Sequence, residues 1–316
     1  MDIRSVCIIG GTGFVGRAVA DHAAASGLRV RVVTRSEPRA RELLVLPTLE
    51  AMVADPHDEK ALERAFDDMD AVVNLAGILH EGGRATFQRV HAELPRKIVK
   101  ACHASGVQQL LHMSALGADP QGPSRYQRSK AAGETAVRES GAPLAWTIFR
   151  PSVIFGERDH FLNLFASLVR LFPVVPLAGA HARFQPVWVE DVARAFVGSL
   201  GEADAAGRTF PLCGPRAYSL SELVEFVAST LGRHPKIVPL APAAASLQAF
   251  FLEHLPGKLM TRDNLASMRV DNVCPDPWPP QLGFQPSPLE AVVPEYLAEN
   301  ASRAKYPRFR HFAGRG

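Results

Sequence analysis

Val6-Cys7-Ile8-Ile9-Gly10-Gly11-Thr12-Gly13-Phe14-Val15-Gly16 joins an apolar, β-branched run to the start of a helical period. Its glycines satisfy both G-x-G-x-x-G (Gly11, Gly13, Gly16) and G-x-x-G-x-x-G (Gly10, Gly13, Gly16). Each spacing has a physical use. The early glycines permit a tight turn, Gly13 lets backbone approach a pyrophosphate, and Gly16 lets the helix pack closely on the strand. Backbone N–H groups at the opening of the helix, together with its dipole, then favour an anion. A glycine triplet alone is weak evidence; here it follows a strand, opens a helix and is continued by further alternation.

That alternation predicts a parallel sheet covered by helices. Strands are expected at Val6–Ile9, Arg29–Val33, Glu50–Val53, Ala71–Leu75, Leu110–Met113 and Ala145–Phe149. Helices are expected at Phe14–Ser26, Glu59–Phe66, Thr86–Ser105 and Tyr126–Ser140, with Gly27, Gly106 and Gly141 as C-terminal glycines. Pro95 inside the third helix predicts a kink or a late start. The fold class is therefore α/β, a doubly wound Rossmann sheet. After Arg150-Pro151 the character changes to an apolar segment (Phe161–Phe172), a strand feeding a helix (Phe184–Phe196) and a unit over Arg208–Leu231. The expected division is a dinucleotide-binding domain over 1–155 and a smaller substrate or partner lobe over 156–316, some of which returns to the first domain. Pro235–Gly316 reads as proline-rich and irregular.

The chain has 316 residues, 47% hydrophobic, with a formal net charge of +3. That balance argues against nucleic acid, whose binders concentrate Lys and Arg. The basic run Arg303–Arg315 reads as a solvated tail ahead of an RNA or lipid contact. Cys7, Cys102, Cys213 and Cys274 are far apart with no C-x-x-C pair, which argues against metal ligation and a disulfide framework and fits a reducing compartment. Met1-Asp2-Ile3-Arg4 leads straight into a strand, with no room for a signal peptide. The uncharged run Ile237–Leu252 is interrupted by Pro239 and Pro242 and falls short of the roughly 20 residues of a spanning helix. The expected location is the cytoplasm, or the periphery of the inner membrane face.

Several further residues are candidates for a site. Arg35 ends the second strand where an acidic residue would select NAD; an Arg there can take a 2′-phosphate, so NADP(H) is favoured over NAD(H), the alternative being a solvated Arg. Asp55 can reach an adenine edge or cap the helix beginning near Asp58. Ala76 and Gly77 leave room for a cofactor, or simply form the turn after Asn74. Tyr126 and Lys130, four apart on a helix, share a face. A phenol can exchange a proton with a carbonyl oxygen if a nearby ammonium stabilises its phenolate, and Ser114 at the end of the fifth strand can bind the same oxygen.

GGTGFVG, NLAG, the Ser114 strand and YQRSK, in this order, resemble the short-chain dehydrogenase/reductase superfamily. RPSVIFG (Arg150–Gly156) and PVWVEDVA (Pro186–Ala193) narrow the resemblance to its extended or atypical branch, the NAD-dependent epimerase/dehydratase group. HMSALGADPQGPSRYQRSKAAGE, with FRPSVIFGERDHFLNLF and RFQPVWVEDVARAF, is similar to bacterial homologues of the nucleotide-binding accessory subunit of respiratory complex I. The resemblance covers about residues 4–231 and is looser beyond. It implies that Gly10, Gly13 and Gly16 hold a pyrophosphate, with backbone groups of Thr12, Phe14 and Val15. It also implies that Ser114, Tyr126 and Lys130 form a catalytic triad and that Pro151 and Val153 lie beside the nicotinamide. Where active members carry an Asn that holds a water for proton relay, this chain has His91 in Val90-His91-Ala92; a His can hold a water, but a helix-surface His is the blander alternative.

The favoured expectation is an NAD(P)-dependent oxidoreductase or epimerase/dehydratase on an unidentified small molecule, an apolar or quinone-like one being one reading. The alternative is a non-catalytic NADPH-holding subunit or assembly partner of a respiratory complex. Ala243–Leu255 has apolar helical spacing (Leu247, Phe250, Phe251, Leu255) that reads first as core packing. An apolar lid or a membrane-surface contact is the other reading.

Overall fold

The computed structural model describes residues 1–254 and 259–298. Leu255 and the basic run Arg303–Arg315 lie outside the described residues. The chain divides into two compact units.

The first unit comprises Met1–Pro151, Val189–Leu212 and Cys274–Phe284. Its strands are β1 (Ser5–Ile9), β2 (Arg29–Thr34), β3 (Leu49–Val53), β4 (Ala71–Asn74), β5 (Gln109–Met113), β6 (Ala145–Pro151) and β7 (Arg208–Leu212). They form one seven-stranded sheet in the order β7-β6-β5-β4-β1-β2-β3, and every pairing is parallel. A parallel strand needs a crossover to return, and the helices α1 (Phe14–Ala25), α2 (Glu59–Phe66), α3 (Leu94–Ala104), α4 (Arg125–Arg138) and α5 (Val189–Gly198) supply several of them. Because both faces are covered, β1 and β4 are buried at every position. Strand order reverses beside β1, so the loops after β1, β4 and β5 open on one sheet edge at the switch point where such folds bind ligands. Gly27, Gly106 and Gly141 take the left-handed conformation at φ +78°, +69° and +73°, ending their helices as expected.

One element differs in kind from its sequence pattern. The expected helix Thr86–Ser105 is a π-helix over Gln88–Glu93 followed by α3, with Pro95 in the first turn of α3, directly after the π-helical turn. Helix α4 starts at a capping box: Ser124 Oγ accepts from Gln127 N, and the Gln127 side chain accepts from Ser124 N. Further along α4, Glu134 is fully buried and takes both guanidinium nitrogens of Arg150 on β6 at 2.7 Å each, which ties the helix to the sheet beneath it.

The second unit comprises Ser152–Trp188, Cys213–Val273 and Gln285–Gly316. Three short strand pairs and the helices Leu162–Leu171, Leu220–Thr230, Pro242–Leu252, Arg262–Ser267 and Leu289–Leu297 make it up. Its core joins Phe155, Phe165, Leu223, Val227, Val293 and Leu297. The proline-rich region after Pro235 is thus more regular than its composition indicates, because proline in a first helical turn leaves the helix intact. The expectation of core packing for Ala243–Leu255 is overturned: in the helix Pro242–Leu252, only Ala245 and Ala249 are buried, while Leu247, Phe250 and Phe251 are 57%, 42% and 61% exposed. Cys7 and Cys102 are free and buried. Among the described residues no helix is long and apolar enough to cross a membrane.

Candidate active site

The glycine loop folds back on itself at the top of β1. Gly10 has φ +85°, and its carbonyl accepts from Gly13 N at 3.0 Å, closing a tight turn before α1. Gly13 is the N-cap of α1 and has no side-chain cap, so the first-turn N–H groups face outward without a protein acceptor of that kind. A Cβ on Gly16 would lie 2.2 Å from Gly10 O and 2.6 Å from Gly11 Cα, so this glycine serves helix–loop contact. A Cβ on Gly13 would meet only Gly10 O, at 3.2 Å, and would otherwise project into open space. Thr12 and Phe14 are half-buried and Val15 faces the core, so Val15 offers the site only its backbone.

Two other candidates stand on the ends of β2 and β3. Arg35 is exposed directly after β2. Asp55 is exposed and accepts from His57 N at 3.0 Å, while the α2 cap is Asp58, which accepts from Lys60 N and Ala61 N. The capping alternative therefore belongs to Asp58 and not to Asp55.

At the β4–β5 edge the remaining candidates converge. Asn74 Oδ1 accepts from Ala76 N at 3.1 Å, which folds the chain over the end of β4. Gly77 follows, and a Cβ there would stand 3.6 Å from Lys130 Nζ and 3.8 Å from His91 Nε2. Lys130 is buried and donates from Nζ to Met113 O at 3.0 Å, one residue before Ser114. Ser114 N donates to Phe149 O at 2.8 Å, while its Oγ is buried with no hydrogen-bond partner. The Tyr126 ring stands edge-on to His91, with centroids 5.5 Å apart, and to Phe87 at 5.9 Å. Pro151 is buried and its carbonyl accepts from Leu116 N at 2.9 Å. Val153 belongs to the second unit, where its N–H donates to Asn272 Oδ1 at 3.1 Å.

Burial sets the protonation states. It pushes the Tyr126 phenol up to about 12, so the phenol holds its proton at neutral pH. The same effect brings the Lys130 ammonium down to about 8, opposed by Glu134 one turn on. His91 is buried, contrary to the helix-surface alternative, and burial reinforced by Lys130 and His112 lowers it to about 2. His112, unremarked in the sequence, is buried at the end of β5; burial and then Lys130 lower it to about 3. Its Nδ1 lies 3.0 Å from Asn74 Nδ2, and because Asn74 Oδ1 is engaged by Ala76, the amide nitrogen donates to His112. The His112 Nε2 proton is then left buried and unpartnered. Strand period two was the available signal: His112 and Ser114 share the face of β5.

These two histidines set an acid dependence of stability. Below the ordinary His value of 6.5 the unfolded chain binds protons that the folded chain refuses, so stability falls as pH drops from 6.5 towards about 3. The expected slope is about 1.4 kcal/mol per pH unit for each group. Urea midpoints measured from pH 7 to pH 4.5 check this, and His112→Asn should make the curve shallower. A parent midpoint independent of pH over that range contradicts it.

The residues present suit a dinucleotide: a glycine cradle at an open helix start, space beside Gly77, and an orphaned Ser114 hydroxyl one residue beyond the carbonyl that Lys130 Nζ holds. No group of three or more His, Cys, Asp or Glu side chains is placed to hold a metal among the described residues.

A family profile described as NAD(P)H-binding matches residues 10–160. The chain is 34% identical over 300 residues to subunit 9 of the NADH dehydrogenase [ubiquinone] 1 alpha subcomplex, mitochondrial, of Mus musculus, covering 92% of this chain and 78% of that protein. It is 31% identical over 247 residues to the ceramide reductase of Caulobacter vibrioides, covering 74% and 73%. Among solved structures, the NADPH-dependent quinone oxidoreductase of Escherichia coli complexed with NADPH superposes with a TM-score of 0.71 at 20% identity, over 90% of this chain and 97% of that one.

Proposed function

The chain belongs to the NAD(P)H-binding extended short-chain dehydrogenase/reductase family, and from that premise we propose that it is an NADPH-dependent reductase of a carbonyl group on an apolar small molecule. The observation that carries this reading is the Ser114 hydroxyl, buried without a partner beside Lys130 on the edge where ligands enter. Leaving such a group unpaired costs about 1–3 kcal/mol, a cost a substrate oxygen relieves. A nicotinamide, when bound, supplies hydride. Ser114 Oγ donates a hydrogen bond to the substrate oxygen, and Tyr126 passes its phenolic proton to that oxygen as the carbonyl carbon is reduced. Lys130 holds the nicotinamide ribose and steadies the phenolate left behind. The names of the ceramide reductase and the quinone oxidoreductase support apolar carbonyl substrates.

The test is NADPH oxidation against long-chain ketones related to ceramide, quinones and sugar nucleotides, followed at the nicotinamide absorbance. Turnover of an apolar ketone or quinone supports the reading. Turnover confined to sugar nucleotides favours an epimerase or dehydratase.

A second reading has its own support. The similarity to a subunit of mitochondrial NADH dehydrogenase extends over 92% of the chain, and the helix Pro242–Leu252 leaves Leu247, Phe250 and Phe251 uncovered. In that case the protein keeps NADPH as a structural element of a respiratory assembly. No turnover on the panel, with nucleotide retained through purification and a respiratory complex co-purifying, selects it.

The preference for NADPH rests on Arg35. NADPH should bind more tightly than NADH, and Arg35→Ala should bring the two affinities together, as read by nucleotide fluorescence. Equal affinities in the parent protein remove Arg35 from the site.

A further inference from the structure

Three segments distant in sequence meet on the His91 ring. From the loop after β4, Ile78 N donates to His91 Nε2 at 3.0 Å; from α4, Ser129 Oγ lies 2.9 Å from His91 Nδ1. A ring nitrogen that accepts an N–H carries no proton, so the neutral ring is protonated at Nδ1 and donates to Ser129 Oγ. The Ser129 hydroxyl in turn donates to the Tyr126 carbonyl at 2.8 Å. The polarity runs one way, from Ile78 N–H through His91 and Ser129 to Tyr126 C=O, and both ring nitrogens are consumed within the protein. Neither is left to hold a water for proton relay. Phe87 stacks on the ring at 5.4 Å and Tyr126 meets it edge-on.

The backbone of His91 docks as well. A Cβ on Gly133 of α4 would lie 2.2 Å from His91 O, so a glycine is needed where the helix crosses it. His91 therefore holds α4 at two points, its carbonyl against Gly133 and its ring at Ser129. It does so from a π-helical turn, the wide turn that recurs at functional positions of helices.

We infer that His91 is a positioning residue, a neutral clamp that sets the spacing between the Gly77-Ile78 loop and the turn of α4 carrying Tyr126 and Lys130. The clamp presupposes the proposed role of Tyr126 and Lys130 only in what it positions. Lys130, His112 and Tyr126 are the titratable groups that face the ring from the elements packed on it.

Two measurements test it. Side-chain nitrogen NMR of the labelled parent protein should show His91 as the Nδ1–H tautomer, unchanged from pH 8 to pH 5. Titration of His91 inside that window, or an Nε2–H tautomer, overturns the clamp. His91→Phe keeps a ring between Phe87 and Tyr126 but loses both hydrogen bonds. It should weaken NADPH binding by about tenfold, a loss comparable to one good hydrogen bond, with the thermal melt by circular dichroism still cooperative. His91→Gln can still accept from Ile78 and should recover most of the affinity. Adding Ser129→Ala to His91→Phe should cost less than the sum of the two single effects, because the partners act as one unit. Parent-like NADPH affinity in a folded His91→Phe variant overturns the inference. None of these readouts needs turnover, so a protein inactive on every ketone leaves the clamp standing, and a titrating His91 leaves the reductase reading standing.

Discussion

Tyr126→Phe is expected to leave NADPH affinity nearly unchanged while lowering carbonyl reduction by about a hundredfold or more, the usual cost of losing a general acid. In the proposed mechanism the phenol meets substrate rather than nucleotide, and at a value pushed up to about 12 it holds its proton at neutral pH. Its ring keeps its packing on Phe87 and His91 in the Phe variant. Lys130→Ala should behave differently, harming nucleotide binding and turnover together, because its ammonium sits both beside Gly77 and on the strand carbonyl next to Ser114. The measurement is a split between kcat and nucleotide affinity on whichever substrate the panel yields. A Tyr126→Phe enzyme as active as its parent removes Tyr126 from the chemistry and leaves the fold untouched.

The second large effect separates two glycines of one loop. Gly13→Val should abolish detectable nucleotide binding while the chain stays folded, because Gly13 is exposed, its backbone is extended (φ −79°, ψ 179°), and a Cβ needs Gly10 O to yield only a few tenths of an ångström from 3.2 Å. The branched side chain then occupies the space in front of the helix start, where a pyrophosphate has to approach. Gly16→Val should instead destabilise the protein itself. Its Cβ would stand 2.2–2.7 Å from backbone atoms of Gly10 and Gly11, which cannot swing aside, so the cost should exceed the ~1–3 kcal/mol of ordinary overpacking. Gel filtration with bound nucleotide and urea unfolding distinguish the two. Nucleotide retained by Gly13→Val places the anion elsewhere, and a parent-like midpoint for Gly16→Val refutes the close contact.

The acid dependence of stability and the His91 clamp share a cause. Burying an imidazole in its neutral form avoids burying a charge, and hydrogen bonds to its ring nitrogens fix a tautomer that a surface histidine lacks. His91 and His112 flank Lys130 in that state, and their resistance to protonation keeps a second positive charge away from the ammonium.

The sequence by itself determined the sheet, the glycine loop and the Tyr126–Lys130 pair, because these depend on local periods and on one spacing each. Short apolar, β-branched runs in β1 to β6 and period 3.6 in the intervening helices are properties of neighbouring residues, and a glycine pattern between them is legible wherever it stands. Only the tertiary structure decided what lies across those elements. It buried His91 against α4, left the His112 and Ser114 protons without partners, gave the α2 cap to Asp58 instead of Asp55, and left Phe250 and Phe251 uncovered. Each of these outcomes depends on which residue, tens of positions away, comes to lie alongside, and side-chain spacing within one element carries no record of that partner.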